Sequence, residues 1–98
     1  MANMCDNTFY AYSEDRNNLK YIKKFLEENL EADVEINIDT IDAYFDSKWT
    51  FPLDLMDELY KGIPNKNDIY MRCLSVEYGF DYVSYHKCEG EDGWQCIV

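Results

Sequence analysis

The chain has 98 residues, 47% of them hydrophobic, and sets 20 acidic side chains against 9 basic ones, for a net charge of −11. That length suits one domain with a modest core and is short for an enzyme that must also build a deep pocket. The charge repels phosphate backbones and anionic lipid surfaces. It therefore disfavours direct nucleic-acid or membrane binding and favours a basic partner.

The opening residues MANMCDNTFY lack the charged start and apolar run of a secretory signal, and no apolar run approaches membrane-spanning length. A cytoplasmic location is therefore expected. Cys5, Cys73, Cys88 and Cys96 are expected as reduced thiols, each acting as a small buried hydrophobe.

Residues 5–13 alternate at period two and predict a strand. Cys5, Asn7, Phe9 and Ala11 share one face, and Asp6, Thr8, Tyr10 and Tyr12 the other. Ser13 is placed to cap a helix that has Glu14 and Asp15 in its first turn and runs to about Leu30. Leu19, Ile22, Phe25, Leu26 and Leu30 form its apolar stripe. Lys20, Lys23, Lys24, Glu27 and Glu28 lie on its wet side, where Lys23–Glu27 and Lys24–Glu28 attract at i,i+4.

Val34, Ile36 and Ile38 alternate with Glu35, Asn37 and Asp39 in a second strand. The apolar phase then jumps to Ile41, so Asp39 and Thr40 are expected to form a tight turn. Residues 41–49 make a third strand. Ile41, Ala43, Phe45, Ser47 and Trp49 lie on one side, and Asp42, Tyr44, Asp46 and Lys48 on the other. Pro52 opens a second helix that turns Leu55, Met56, Leu59 and Tyr60 inward, with Gly62 as its C-cap and Pro64 blocking continuation. Residues 69–78 and 81–88 are two more strands about a Gly79-Phe80 turn. A polar turn over residues 89–93 leads to a closing strand at 94–98.

This order predicts one α+β domain over residues 1–98. It is a ferredoxin-like βαββαβ sandwich with a C-terminal β-hairpin extension, and its two helices cover one face of a mainly antiparallel sheet.

Three stretches bear a family resemblance. The start MANMCDN, the segment FDSKWTFP at the strand-to-helix corner and the later VEYGFDYVSY are similar to segments of the Api-like ferredoxin-fold family of small phage- and plasmid-encoded proteins. This chain departs from that family in having Met4 in place of tryptophan, Ser47 in place of threonine, and a shorter stretch between the first helix and the corner. The resemblance implies a ferredoxin-like fold and a phage or mobile-element origin. It transfers no catalytic residues.

A hairpin about Gly79-Phe80 pairs Val76 with Val83, Leu74 with Tyr85 and Cys73 with His86. The polar turn then pairs Cys88 with Trp94 and His86 with Cys96. Cys73, His86, Cys88 and Cys96 would share a face. Such quartets bind zinc, but there is no Cys-x-x-Cys pair and a flat sheet holds a tetrahedral ion poorly, so no metal or other cofactor is expected. His86 is the only histidine, and nothing supplies the orienting acid or oxyanion hole of a Cys–His nucleophile. No catalytic site is expected.

The apolar phases assign Phe9, Ala11, Val34, Ile36, Ile38, Ile41, Phe45, Trp49, Leu74, Val76, Val83 and Tyr85 to the helix side. That leaves Tyr10, Tyr12, Glu35, Asp39, Asp42, Tyr44, Asp46, Glu77 and Tyr82 on an open, tyrosine-studded acidic face as the partner-binding set. Base-stacking sheets surround their aromatics with Lys and Arg, which this face lacks.

The leading expectation is a non-enzymatic acidic inhibitor from a phage or mobile element. It would bind a host protein with a basic surface, an anti-CRISPR or anti-restriction action, by mimicking nucleic acid. The alternative is a structural or homo-oligomeric adaptor, monomer or homodimer, whose edge strands pair between chains.

Overall fold

The computed structural model describes residues 4–48, 50–79 and 82–98. The elements in chain order are β1 (Met4–Tyr12), α1 (Arg16–Leu30), β2 (Asp33–Ile36), β3 (Thr40–Lys48), α2 (Leu53–Gly62), β4 (Tyr70–Glu77), β5 (Tyr82–Glu89), a 3-10 turn (Gly90–Asp92) and β6 (Trp94–Cys96). The strands form one six-stranded sheet in the order β2-β3-β1-β4-β5-β6, and every neighbouring pair is antiparallel. This arrangement of two helices and an antiparallel sheet is compatible with a ferredoxin-like plan.

Local chemistry sets the element ends. Asp15, not Ser13, caps α1, and its carboxylate accepts the Asn17 N–H at 2.9 Å. Ser13 is buried instead, and its hydroxyl accepts from the Asp15 N–H and the Asn18 amide. The Asn18 side chain also donates to the carbonyls of Asn65 and Asp68 and accepts from the Asn65 N–H, so it pins the loop after α2. Glu31 closes α1 in the left-handed conformation (φ 49°) and donates its N–H to Leu26. Ile63, not Gly62, is the C-cap of α2. Gly62 is the last helical residue, and a Cβ there would lie 1.9 Å from the Tyr21 hydroxyl.

The core lies between the sheet and the two helices. Phe9, Ala11, Ile41, Ala43 and Phe45 meet Leu19, Ile22 and Leu26 of α1 and Met56 and Leu59 of α2. Along β1 and β3 the inward phase is as expected: Cys5, Asn7, Phe9 and Ala11, then Ile41, Ala43, Phe45 and Ser47, are all buried. Val34 and Ile36 pack partly against the core. Ile38 does not. β2 ends at Ile36, and Ile38 sits in the following turn at 84% exposure. Trp49, also assigned inward, lies outside the described residues.

The β4–β5 register agrees pair for pair with the expected one: Val76 opposite Val83, Leu74 opposite Tyr85 and Cys73 opposite His86. Its two faces are exchanged. Met71, Cys73, Ser75 and Glu77 are buried on the helix side with Ser84, His86 and Cys88, while Leu74, Val83 and Tyr85 point to the open face. The physical reason lies in β1. Its pairing with β4 sets Met71 beside Ala11 and Cys73 beside Phe9, in core rows that Cys88 and His86 continue. Strand parity then sends Leu74 and Val76 outward.

The polar residues that take their place are hydrogen-bonded. Ser75 donates to the Asn7 side-chain oxygen Oδ1 at 2.6 Å, and the Asn7 side-chain amide donates to Ser47 Oγ at 2.9 Å and the Phe45 carbonyl at 3.2 Å. Ser47 donates onward to the Thr50 carbonyl. Glu77 accepts the Gly79 N–H at 2.7 Å through its carboxylate, and Tyr82 donates to Ser84. Phe51 stacks on His86 with ring centroids 3.8 Å apart and planes 8° from parallel. The Trp94 indole donates to the Met56 carbonyl and the Tyr60 hydroxyl to the Gly90 carbonyl, so α2 is tied to the C-terminal hairpin.

Candidate functional site

The sheet face away from the helices carries the residues best placed to meet a partner. Cross-strand register arranges them in rows. Glu35, Asp42, Tyr10, Arg72, Lys87 and Gln95 form one row. Asp33, Tyr44, Thr8, Leu74 and Tyr85 form the next. Asp46, Asp6, Val76 and Val83 form a third.

These rows divide the face into three zones. Over β2, β3 and β1 stand Asp6, Asp33, Glu35, Asp42 and Asp46, none of which joins a salt bridge among the described residues. Through the middle runs an apolar strip: Tyr44, Leu74 and Val83 are 59%, 43% and 54% exposed. Tyr44, Thr8, Leu74, Val76 and Tyr78 line a shallow depression of about 320 Å³ along it. Over β4 and β5 lies a small cationic zone. The Arg72 guanidinium sits 4.2 Å from the Tyr10 ring centroid and 6.0 Å from that of Tyr70. Lys87 is held by Glu89 at 2.8 Å.

The titration of this zone follows its contacts. Burial acts to raise the Tyr70 hydroxyl, but its interactions with Tyr85 and Arg72 outweigh that and bring it below an ordinary phenol. Tyr85 is raised, first by its hydrogen bond with Tyr70.

Of the residues expected on this face, Tyr10, Tyr12, Glu35, Asp42, Tyr44 and Asp46 are on it. Asp39 lies in the β2–β3 turn, where its carbonyl accepts the Ser13 N–H at 3.0 Å. Two assignments are corrected. Glu77 is buried at 3% exposure on the helix side, and Tyr82, its cross-strand partner, shares that side. Both corrections follow from the exchanged β4–β5 phase. The residues missed for the same reason are Tyr70, Arg72, Leu74, Val76, Val83, Tyr85 and Lys87. Met71 and Cys73, apolar neighbours of Ala11 and Phe9 in the register, were the signal that could have found them.

Cys73, His86, Cys88 and Cys96 share a face as expected, with Cys73 opposite His86 and His86 opposite Cys96, but the exchanged phase makes it the helix side and not the open face. Cys5, Cys73 and Cys88 are buried and Cys96 is exposed. Burial pushes the Cys73 and Cys88 thiols up to about 12, so at neutral pH they are protonated and poor nucleophiles. His86 is held below its usual value by burial, and its Nδ1 has no hydrogen-bond partner among the described residues. Among the described residues, no three His, Cys, Asp or Glu side chains group closely enough to hold a metal ion, and no helix is long and apolar enough to cross a membrane.

No family model, curated protein or solved structure matches the chain.

Proposed function

We propose that the chain is a non-enzymatic, acidic protein-binding inhibitor with a ferredoxin-like fold, carried by a phage or mobile element. Its target is a host nucleic-acid-handling defence protein with a basic surface, in the cytoplasm of the host. The strand order β2-β3-β1-β4, with each helix as a crossover, supports the fold assignment. The resemblance of residues 1–7, 45–52 and 76–85 to the Api-like family supports the origin.

The observation that carries the binding role is the loading of the β4–β5 hairpin. It exposes Leu74 and Val83 while burying Ser75, Glu77 and Ser84. Seating Met71 and Cys73 in the core fixes this phase, and the exposed apolar strip rimmed by charge that results has the character of a contact surface. The carboxylates of β1, β2 and β3 on one flank suit a surface that otherwise holds phosphates. Arg72 on the other flank asks for an acidic or carbonyl group at the edge of the same contact.

The test is a binding titration against purified CRISPR and restriction nucleases, with their DNA as competitor and at rising salt. Binding that DNA displaces, that weakens with salt, and that Leu74→Ser/Val83→Ser abolishes while the fold is retained is the expected result. Salt-insensitive binding, or none, sinks the proposal.

A further inference from the structure

We infer that the outer edge of β3 at residues 45–48 is an acceptor for an extended, lysine- or arginine-bearing segment of a partner protein, added to the sheet as a strand. The inference rests on the backbone of β3. It stands whether or not the open face docks a defence nuclease.

β3 is longer than the strand that covers it. β2 pairs with Ile41, Ala43 and the residues between them and stops where Asp33 meets Tyr44. Beyond that point no strand pairs with β3 on this side among the described residues. The direction of the free groups follows from the hairpin. The Asn37 N–H donates to the Thr40 carbonyl at 2.8 Å, so Thr40 turns its backbone toward β2. Alternation along an antiparallel strand turns Asp42, Tyr44, Asp46 and Lys48 the same way. β2 takes Asp42 and Tyr44. The N–H and carbonyl of Asp46 and the N–H of Lys48 are left on the open edge, while the Lys48 carbonyl accepts the Thr50 N–H at 2.7 Å. Such a row is a template for strand addition.

The edge lies in a groove of about 370 Å³ whose walls come from both sides of the sheet. Leu30 and Glu31, at the end of α1, form the helix-side wall above Phe45. Tyr44, Asp33 and Asp46 form the open-face wall. Glu31, Asp33 and Asp46 line the groove and, among the described residues, no cation does; Lys48 follows Asp46 on the same face of β3. A strand laid here would alternate its side chains. One set would meet Leu30 and the other Asp33 and Asp46, so the occupant of matching chemistry alternates apolar and basic residues.

The probe is a capped octapeptide of alternating Lys and Val, titrated into the isotope-labelled chain and followed by amide shifts and hydrogen exchange. Shifts confined to residues 44–48 are expected, with slowed exchange at Asp46. N-methylation of every second peptide residue removes the N–H groups of one edge. Methylation in the pairing phase should weaken binding about tenfold or more, and methylation in the other phase should leave it nearly unchanged. Asp46→Pro should keep the circular-dichroism spectrum and lose the peptide, because proline is tolerated where the N–H is unpaired. Equal binding of both methylated peptides, equally tight binding of a control octapeptide with Glu in place of every Lys, or shifts on β4 and β5 would overturn the inference. So would concentration-dependent shifts at Asp46 without peptide, because the edge would then pair with a second copy of the chain. Leu74→Ser/Val83→Ser should leave peptide binding intact, which separates this edge from the open face.

Discussion

β1 and β3 on one side of the sheet and β4 and β5 on the other share one pleat, yet they load their faces oppositely. In β1 and β3 the aliphatic and Phe residues from Phe9 to Ala11 and Ile41 to Phe45 face the helices and the charged residues face out, with polar Asn7 and Ser47 inward and Met4 and Tyr44 outward. In β4 and β5 the outer ends invert this: Leu74 and Val83 face out, and Ser75, Glu77 and Ser84 face in. The inversion is tolerable because the inward polar groups find each other, with Asn7 as the hub between Ser47 and Ser75. One half of the sheet is loaded for folding. The other half accepts a hydrogen-bonded interior and leaves Leu74 and Val83 exposed.

The sharpest way to break this contrast is a pair of truncations on one strand. Met71→Ala should lower stability by about 2–5 kcal/mol, because Met71 is fully buried. Leu74→Ala, three residues on, should change it by less than about 0.5 kcal/mol. Urea midpoints measure both, and a Leu74 effect as large as that of Met71 would mean the strand is seated in the opposite phase. Next in size is Asn7→Ala. It removes the partner of Ser75 and one partner of Ser47 in a buried site, and should lower the same midpoint by about 1–3 kcal/mol.

The interior of β5 can also be probed by pH. His86 is held neutral by burial, so the folded chain binds its proton less readily than the unfolded chain does. Stability from this group is therefore present above the unfolded value of about 6.5 and is lost as the pH falls below it, down to the lower folded value. Midpoints measured from pH 8 to pH 5 should fall more for the native sequence than for His86→Phe, which keeps a ring against Phe51. Parallel curves would place the imidazole in water. The smallest effect belongs to the outer face of α1. Lys23→Ala should cost about 0.3 kcal/mol at low salt and less in 1 M salt, because its 2.6 Å bridge to Glu27 is exposed.

The sequence shows why one half of this sheet was legible and the other was not. In residues 5–11 and 41–47 each apolar residue shares a phase with the core, so alternation alone finds the face. In residues 70–77 the phases compete: Met71 and Cys73 against Leu74 and Val76. Leucine is the most apolar of the four, so the pattern favours its phase, yet that phase points out. Hairpin register survived this error because it depends on turn length and not on which face is wet. Of the residues expected on the open face, those of β1 and β3 lie on it, while Glu77 and Tyr82 do not, for one reason. Arg72 was missed along with its phase, although it is the cation that divides the face electrically.

The position of β1 has a consequence for how the chain comes off the ribosome. β1 is made first and lies in the middle of the sheet, yet its neighbours β3 and β4 follow 28 or more residues later. Until Tyr70–Glu77 has emerged, at least one of its two edges waits unpaired beside Phe9 and Ala11. Such distant pairings slow folding and lengthen the time for which a nascent strand can join the wrong neighbour. The central strand of this sheet is therefore completed only after β4 has been made.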